Sequence, residues 1–485
     1  MTEQSAAVHV GEAAEEHHLE PDAIGITEDT IIGMAASAPA ASVGLTVAAL
    51  AAGTAYGSGP IIIIMAIPML IIANAYRRLN MWNANCGASF EWVGRAINPY
   101  LGFLTGWLMV AAYVLGTLSG VEVLAPSVLS VFGNNSTATW GNIGIDTALG
   151  LIMVVIAVLG IKLTARTQVG MATVEYLILI GFAIAGLFWV LSHHHGSYPV
   201  TSGWASPAGI GGHGSATAGF LIAVFMFTGW DGAIYVNEET QRRRINPGRA
   251  VLIAVALLAV VYFVATVGLQ GVVSPKALQA NAADAPVYIA QVMGGAGWAK
   301  VMALSITLSA IASTGAGIVV TARIVMDMAD RRVLPPALGA VNRRFSTPVI
   351  ASVVVGLLVV ALTWVYLLAT SVQNAFDDVV AITGLLFSLF YILTALATMA
   401  YYRHRLLANP GDGLILGVLP LAASVFLAWI IVKSLIEAPP SQRWSMLGIV
   451  LAGVVLMFVA RFALRSPFFH IRREVEAPAG TAGAA

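Results

Sequence analysis

The chain has 485 residues, of which 58% are hydrophobic and only 10% are charged. A soluble globular protein carries about 25% charged residues, so this composition excludes a water-soluble fold and an intrinsically disordered chain. The 24 basic and 24 acidic side chains cancel, which gives no reason to expect a nucleic acid partner, and the single cysteine, Cys86, excludes a disulfide framework or a thiolate metal cluster. The sequence therefore predicts a polytopic protein embedded in a lipid bilayer.

The N-terminal segment, residues 1–29, is acidic and contains no lysine or arginine. Such a segment is typical of disordered, solvated chain. We predict a disordered cytoplasmic tail over residues 1–29 and a second cytoplasmic tail over residues 467–485.

Twelve apolar stretches lie between these tails, and a membrane-spanning helix needs roughly 20 such residues. The predicted fold is therefore an all-α bundle of twelve transmembrane helices, which we number as spans one to twelve. They cover residues 31–51, 58–77, 100–131, 146–162, 169–191, 217–237, 248–271, 298–328, 348–369, 376–402, 413–433 and 444–465.

Span one contains a proline within its apolar sequence. Pro39 lacks an amide hydrogen and disfavours helical geometry at Ala38, so we predict a break there, the alternative being a simple kink. A broken helix leaves unpaired amides at the start of its second half, where the helix dipole adds positive character. We expect these amides, between Ala40 and Val43, to hold an anion such as a substrate carboxylate, while carbonyl groups of the first half receive an ammonium. The candidate binding residues are Ser37, Ala38, Pro39, Ala40, Ala41 and Ser42.

Two carboxylic acids stand out in spans three and five, because an ionised side chain at membrane depth costs several kcal/mol unless it is paired or hydrated. Glu122 lies toward the outer end of span three and is interpreted as structural. Glu175 lies about two helical turns into span five, where a carboxyl group removed from water can bind and release a proton near physiological pH. We therefore assign proton coupling to Glu175, the alternative being a neutral acid satisfied by a neighbouring helix.

Span six is interrupted by glycines and a third carboxylic acid, in the run Phe227, Thr228, Gly229, Trp230 and Asp231. Asp231 either receives the substrate ammonium or a proton, or it caps the second half-helix. Trp230 is either a gate over the substrate or a packed aromatic residue. Spans one and six are the first members of two five-helix halves, and paired interruptions at matching places indicate the binding site of an inverted-repeat transporter. All five residues are therefore candidate substrate-binding residues.

Span eight carries a row of small hydroxyl side chains. Such hydroxyls can ligate sodium beside carbonyl groups of span one, but they more often serve helix packing. We therefore favour a proton gradient over sodium as the driving force and expect neither a metal nor an organic cofactor. The hydroxyl residues are Ser305, Ser309, Ser313 and Thr314.

The nine histidines argue against an integral-membrane enzyme, because none lies well inside a span where it could pair with a nucleophile or bind a catalytic metal. Three of them, His193 to His195, lie in a loop rich in glycine and serine without nearby carboxylates. That setting favours a polar loop over a metal site.

The lysines and arginines predict the orientation of the bundle. With the N-terminus in the cytoplasm, all but four of the 24 fall in inner loops or at inner helix ends, as the positive-inside rule requires. We predict a multi-pass protein of the plasma membrane with both termini in the cytoplasm. The four exceptions are Lys276, Lys300, Lys433 and Arg443.

Several motifs resemble those of the amino acid–polyamine–organocation (APC) superfamily of permeases, over about residues 30–465. The break at residues 227–231 resembles the family's F-x-G-[FW]-[DE] signature, and it precedes an acidic pair and the N-P-x-R turn of residues 246–249. Residues 321–348, which contain Thr321-Ala322-Arg323, are similar to the family's span-eight exit and following loop. Residues 160–168, from Gly160-Ile161-Lys162 onward, resemble the approach to span five, and Glu175 falls where some proton-coupled members carry a lysine.

The resemblance implies a leucine-transporter-type fold, with ten helices in two inverted repeats and two peripheral helices. The first repeat would cover about residues 31–191, the second about 217–402 and the peripheral helices about 413–465, within a transporter domain of residues 30–466. One departure is that Ser37-Ala38-Pro39-Ala40 stands where many amino acid carriers have a glycine-rich break.

We expect a secondary active transporter, not an enzyme, that imports amino acids by proton symport and alternating access. The alternatives are a carrier of polyamines or other organic amines, or an amino acid/amine antiporter. The sequence indicates no particular oligomeric state.

Overall fold

The computed structural model describes residues 19–54, 58–134, 138–192, 216–369 and 372–476. Residues 1–18 of the predicted acidic tail, the histidine loop at 193–195 and residues 477–485 lie outside these ranges, as does the side chain of Glu122. Helices α1 to α17 are, in chain order, Ile26–Ala36, Pro39–Thr54, Ser58–Trp82, Ser89–Ala96, Pro99–Val131, Thr139–Leu159, Ile161–Leu191, Ala216–Met226, Asn246–Gln270, Pro275–Ala280, Ala285–Asp330, Val349–Ala369, Val372–Tyr401, Arg403–Ala408, Pro410–Gly413, Leu419–Glu437 and Pro440–Phe458.

Tighter and wider turns of helix connect or extend these elements. The 3₁₀ segments are Trp230–Val236, Ala282–Asp284, Pro336–Gly339 and Pro467–His470, and the π segments are Leu414–Val418 and Val459–Ala463. Extended pairing within the described ranges is limited to two isolated bridges, Ile24 with Thr240 and Asn342 with Thr347.

Among the described residues, twelve helical segments are long and apolar enough to cross a membrane, which confirms the predicted number of spans. Span five begins at Ile161 rather than at residue 169, and span eight begins at Ala285 rather than at 298, with a kink at Gly295. The difference arises because hydropathy identifies the residues that tolerate the hydrocarbon core of the bilayer, and a helix can extend beyond those residues. Charged residues such as Lys162 and Arg166 end an apolar stretch without ending a helix.

The interrupted spans lie at the centre of the bundle. Spans one, six and eight bury more than four-fifths of their most apolar stretch, whereas span twelve buries less than one-fifth. Span five presents large apolar side chains such as Leu177 and Phe188 on the outer surface, at 71% and 70% exposure. The continuous, exposed spans thus form a lipid-facing shell around helices whose backbone is irregular, which is the arrangement a membrane permits.

At the end of the bundle that carries the first and last described residues, the segment before α1 packs against the turn after span six. The amide of Ile24 donates to the carbonyl oxygen of Glu239 at 3.1 Å, and the amide of Gln241 donates to the carbonyl oxygen of Ile24 at 2.9 Å. Beneath this bridge, the fully buried Arg323 guanidinium donates to both carboxylate oxygens of Glu239, at 2.6 and 2.9 Å. The segment ahead of α1 is therefore held to the turn after span six.

Candidate binding site at two helix breaks

The predicted break in span one separates α1, which ends at Ala36, from α2, which begins at Pro39. Ala38 adopts a left-handed conformation with φ of 46°, which costs a non-glycine residue roughly 1–2 kcal/mol. The amide of Ala38 donates to the carbonyl of Ala35 at 3.0 Å, so the first half-helix closes with a tight turn. The proline removes the donor that would have continued the helix.

The break in span six follows α8, which ends at Met226. Gly229 has φ of 90° and ψ of −18°, a conformation that glycine adopts without the steric cost of a side chain. A 3₁₀ helix, Trp230–Val236, then completes the span. A glycine is thus required at this turn, and it changes the pitch of the helix at membrane depth.

The two breaks pack backbone against backbone. A Cβ atom on Gly229 would lie 2.6 Å from the carbonyl oxygen of Ala36, and one on Gly33 would lie 2.6 Å from the carbonyl oxygen of Trp230. Real Cβ atoms essentially never approach this closely. Glycines therefore let the interrupted spans meet directly at the centre of the bundle.

A narrow crevice of about 30 Å³ opens beside the breaks, between spans one, three, six, eight and ten. This volume is roughly that of one water molecule, so the crevice has no room for an amino acid in this conformation. The wall consists of Ala36, Ser37, Ala38, Ala41, Ser42, Leu45, Tyr113, Gly116, Thr117, Ser119, Gly120, Phe225, Thr228, Ser313, Gly317 and Phe387.

Five of the eleven predicted substrate-binding residues belong to this wall, namely Ser37, Ala38, Ala41, Ser42 and Thr228. The other six, Pro39, Ala40, Phe227, Gly229, Trp230 and Asp231, are not part of it. The binding role of all eleven stays a prediction.

The amides at the start of α2 already have protein partners. The amide of Ala40 donates to Oε1 of Glu175 at 2.9 Å, and that of Ala41 donates to Oγ of Ser309 at 3.2 Å. The amide of Ser42 donates to the carbonyl of Ala38 at 2.7 Å. In this conformation an anion in the crevice meets the positive end of α2 without taking these donors directly.

Glu175 is fully buried where span five meets the start of α2 and span eight. Its Oε1 accepts the Ala40 amide, whereas Oε2 has no hydrogen-bond partner among the described residues. The backbone carbonyl of Glu175 accepts a hydrogen bond from Ser305 at 3.1 Å. The structure thus brings together the predicted proton-coupling residue, the break in span one and two serines of span eight.

Asp231 lies behind the wall, in a cluster of phenol groups. Tyr235 donates to its Oδ2 and Tyr391 donates to its Oδ1, both at 2.7 Å. Trp230 stacks on Tyr391 with ring centroids 5.1 Å apart and meets Tyr76 edge-on at 5.3 Å. In this conformation Trp230 is a packed aromatic residue, and Asp231 joins span six to span ten.

A sequence model of a known family matches residues 29–463, and the family's description is amino acid permease. The chain belongs to this family. This permease is therefore a multi-pass membrane transporter and not an enzyme, as expected from the sequence.

The permease is 22% identical over 314 residues to the cationic amino acid transporter 4, vacuolar, of Arabidopsis thaliana, a match covering 62% of this chain and 51% of that one. It is 24% identical over 403 residues to the Asc-type amino acid transporter 1 of Homo sapiens, covering 81% and 73%. The permease thus spans only about half the length of the plant relative.

Among solved structures, a manganese transporter of Eremococcus coleocola matches 94% of this chain and 99% of its own, with a TM-score of 0.61 and 13% sequence identity. A likeness at this identity shows the fold alone. The leucine-transporter-type fold expected from the sequence is thereby confirmed for the permease.

One face of span three in the permease lines the crevice without having been predicted from the sequence. Tyr113, Gly116, Thr117 and Gly120 all line the crevice, and their spacing places them on one side of a helix. Small and polar residues repeating at i, i+3, i+4 and i+7 within an apolar span were the signal that could have revealed this face.

Two buried acids were likewise not predicted, because in the sequence each lies at the end of an apolar stretch. Asp29, assigned to the tail, lies inside α1 and is fully buried. Asp146, taken as the first residue of span four, lies two turns inside it, where Oδ1 accepts the amide of Ala125 at 2.8 Å. That amide precedes Pro126, which disturbs the helix of span three.

Proposed function

We propose that this permease imports amino acids across the plasma membrane by proton symport, that it works by alternating access, and that its termini are cytoplasmic. The observation that carries the proposal is the contact between the Glu175 carboxyl and the Ala40 amide, next to a crevice at two broken helices. Family membership supports the substrate class, and the distribution of lysine and arginine supports the orientation.

The start of α2 contacts the Glu175 carboxyl group and also borders the crevice. Glu175 contacts it at Ala40, and the next two residues, Ala41 and Ser42, belong to the wall of the crevice. A substrate carboxylate in the crevice and an ionised Glu175 would therefore both draw on the same positive helix end, and two negative charges at one site disfavour each other.

This geometry gives a physical route to coupling. A proton on Glu175, for which Oε2 is free of other partners, removes the competing charge and leaves the positive end of α2 to the substrate carboxylate. Proton and substrate then each favour binding of the other by the same factor. Coupling between sites is commonly about 1–3 kcal/mol, or roughly 5- to 150-fold, so we expect substrate affinity to rise by this order as the pH is lowered.

Alternating access in this proposal uses the breaks as hinges. Ala38 and Gly229 absorb the change in backbone direction, so α1 can move relative to α2, and α8 relative to the 3₁₀ helix. In this conformation the crevice has room for about one water molecule, so admitting an amino acid requires the half-helices to separate.

An amino acid is favoured over a polyamine because Asp231, the carboxylate behind the wall of the crevice, already accepts hydrogen bonds from the protein. Both oxygens of Asp231 accept phenol hydrogen bonds, and the described side chains of the wall carry no formal charge. Competition by putrescine, without competition by any amino acid, would reverse this preference.

The decisive experiment is uptake by purified permease in liposomes under an inward proton gradient, with and without a protonophore. We expect Glu175→Gln to abolish proton-driven accumulation and its pH dependence while retaining substrate exchange, because the amide oxygen of glutamine still accepts the Ala40 amide. Asp412→Asn, an acid outside the crevice wall, is the matched control and should behave like the wild type. Unchanged pH dependence in Glu175→Gln would exclude the coupling role, and uptake driven by sodium alone would exclude proton symport.

A further inference from the structure

Six arginines gather at the end of the bundle that carries the first and last described residues. They come from the last two turns of α3, from the turn after span six and from the first turn of α9, and they are Arg77, Arg78, Arg242, Arg243, Arg244 and Arg249. We propose that this arginine cluster binds the phosphate headgroup of an anionic phospholipid, whose acyl chains lie along the outer surfaces of spans two and seven. The inference concerns a site apart from the crevice and does not depend on the function proposed above.

The packing of α3 against the start of α9 brings the arginine cluster together. A Cβ atom on Gly248 would lie 2.9 Å from the Cα atom of Arg77, so this glycine allows the two helices to approach closely. Nδ2 of Asn80 donates to the carbonyl oxygen of Arg243 at 2.8 Å, which holds the same end of α3 to the turn ahead of α9. Arginines from three segments of the chain therefore converge in the folded protein.

The positive charge of the arginine cluster is not balanced by carboxylates. Among the described residues, the ion pairs at this end of the bundle join glutamates to other basic side chains, namely Arg95, Lys162, Arg323, Arg331 and Arg405. The guanidinium of Arg77 is close enough to those of Arg78 and Arg249 for the like charges to repel. The buried Nε of Arg78 also has no hydrogen-bond partner among the described residues, which leaves a donor desolvated without compensation. An anion bound at the cluster would relieve both costs.

The surface beside the arginine cluster indicates that this anion belongs to a lipid. Spacings of three and four residues place exposed apolar side chains on the helix face of Arg77 in span two and on that of Arg249 in span seven. Each of these arginines thus lies at the end of an apolar stripe that faces the hydrocarbon, an arrangement that matches a molecule with a charged head and apolar tails. The exposed apolar residues are Ile63, Ile67 and Leu70 on span two, and Ile253, Leu257 and Val260 on span seven.

The positive-inside rule accounts for only part of this arrangement. The rule explains why arginines collect at one end of a membrane protein. It does not require arginines of three segments to converge beside a lipid-facing stripe, while other basic residues at the same end pair with glutamates. Convergence without counter-charges is instead typical of a basic site for a lipid headgroup.

The chemistry of guanidinium groups favours a phosphate with a net negative charge. Guanidinium is planar and forms paired, charge-assisted hydrogen bonds with phosphate oxygens. Phosphatidylglycerol presents such a phosphate with no cation in its headgroup, whereas the headgroup of phosphatidylcholine also carries a quaternary ammonium that the arginines would repel. The cluster should therefore prefer phosphatidylglycerol to phosphatidylcholine with the same acyl chains.

The test measures thermal unfolding of the purified permease in a neutral detergent as dioleoyl phosphatidylglycerol or dioleoyl phosphatidylcholine is added. A lipid that binds the native protein raises its unfolding temperature, and we expect phosphatidylglycerol to do so at the lower concentration. Arg77→Gln and Arg249→Gln should each raise the half-maximal concentration of phosphatidylglycerol by roughly fivefold, the contribution of one basic residue near an anionic lipid. Arg249→Lys keeps the charge and should keep most of the affinity. Arg344→Gln, which changes an exposed arginine in the loop between spans eight and nine, is the matched control and should behave like the wild type.

A second measurement needs no substitution. Raising the ionic strength from about 0.05 M to about 0.5 M shortens the range of electrostatic attraction, so it should weaken the binding of phosphatidylglycerol to the wild type. Salt-independent binding, or equal effects of the two lipids, would exclude recognition of the headgroup charge. The same stabilisation by inorganic phosphate or glycerol phosphate without lipid would assign the cluster to a soluble anion. An equal loss in Arg344→Gln would attribute the effect to overall surface charge and overturn the site.

Discussion

Replacing Gly229 by alanine adds a single Cβ atom at the contact between the two helix breaks. The new Cβ would lie 2.6 Å from the carbonyl oxygen of Ala36 and 3.0 Å from the amide nitrogen of Ser37. Both are backbone atoms, so no side-chain rotation relieves the clash. The oxygen would have to retreat by about 0.8 Å to reach an ordinary contact of 3.4 Å, which separates α1 from the break in span six.

The energetic cost has two parts. An alanine at φ of 90° is disfavoured by roughly 1–2 kcal/mol relative to glycine. Inserting a methyl group into packed backbone costs about 1–3 kcal/mol more. The sum of about 2–5 kcal/mol is a large fraction of the 5–15 kcal/mol that typically holds a protein folded.

Thermal unfolding in detergent and initial uptake rate in liposomes check this prediction together. We expect Gly229→Ala to unfold at a lower temperature and to transport at least tenfold more slowly, because the hinge can no longer close. Gly181→Ala is the control, since it makes the same substitution in a helix with open space around the new atom. Equal stability and equal uptake for the two variants would refute the direct packing of the breaks.

Two further substitutions test buried polar contacts. Tyr391→Phe removes one of the phenol donors to Asp231 and should lower stability by about 1–3 kcal/mol, with the loss absent in an Asp231→Ala background. A double-mutant cycle of denaturation midpoints measures this, and an undiminished loss in that background would argue against the hydrogen bond. Glu239→Gln leaves the Arg323 charge without its partner and should cost about 3–5 kcal/mol, whereas Lys162→Gln breaks an exposed ion pair and should cost less than about 1 kcal/mol; similar values by the same assay would contradict this contrast.

The broad architecture follows from properties visible in a linear sequence. The twelve spans can be recognised as apolar stretches of about 20 residues, the length of helix that crosses a bilayer. Such stretches form helices because every backbone polar group inside the bilayer must be hydrogen-bonded within the protein. The breaks are also visible, since Pro39 removes a donor and Gly229 provides a conformation that other residues avoid. These features depend on the residue itself or its immediate neighbours, and no tertiary contact is needed to infer them.

The composition of the site depends on contacts that a linear sequence does not show. The amide of Ala40 looks free in sequence, and only folding brings Glu175 to it from 135 residues away. Asp231 likewise gains Tyr391 as a partner across 160 residues. Asp29 and Asp146 were placed at the ends of apolar stretches because an acid lowers local hydropathy, whereas the helices continue past them.

The bridge between Ile24 and the turn after span six consists of main-chain atoms, so it places few constraints on which side chains evolution can accept there. Hydrogen bonds of the main chain need no particular side chain, so residues near position 24 can drift without opening that end of the bundle. Proline is the exception, because it lacks the hydrogen that Ile24 donates to Glu239. Ionic strength should have little influence on this bridge, since neither of its hydrogen bonds involves a charged group.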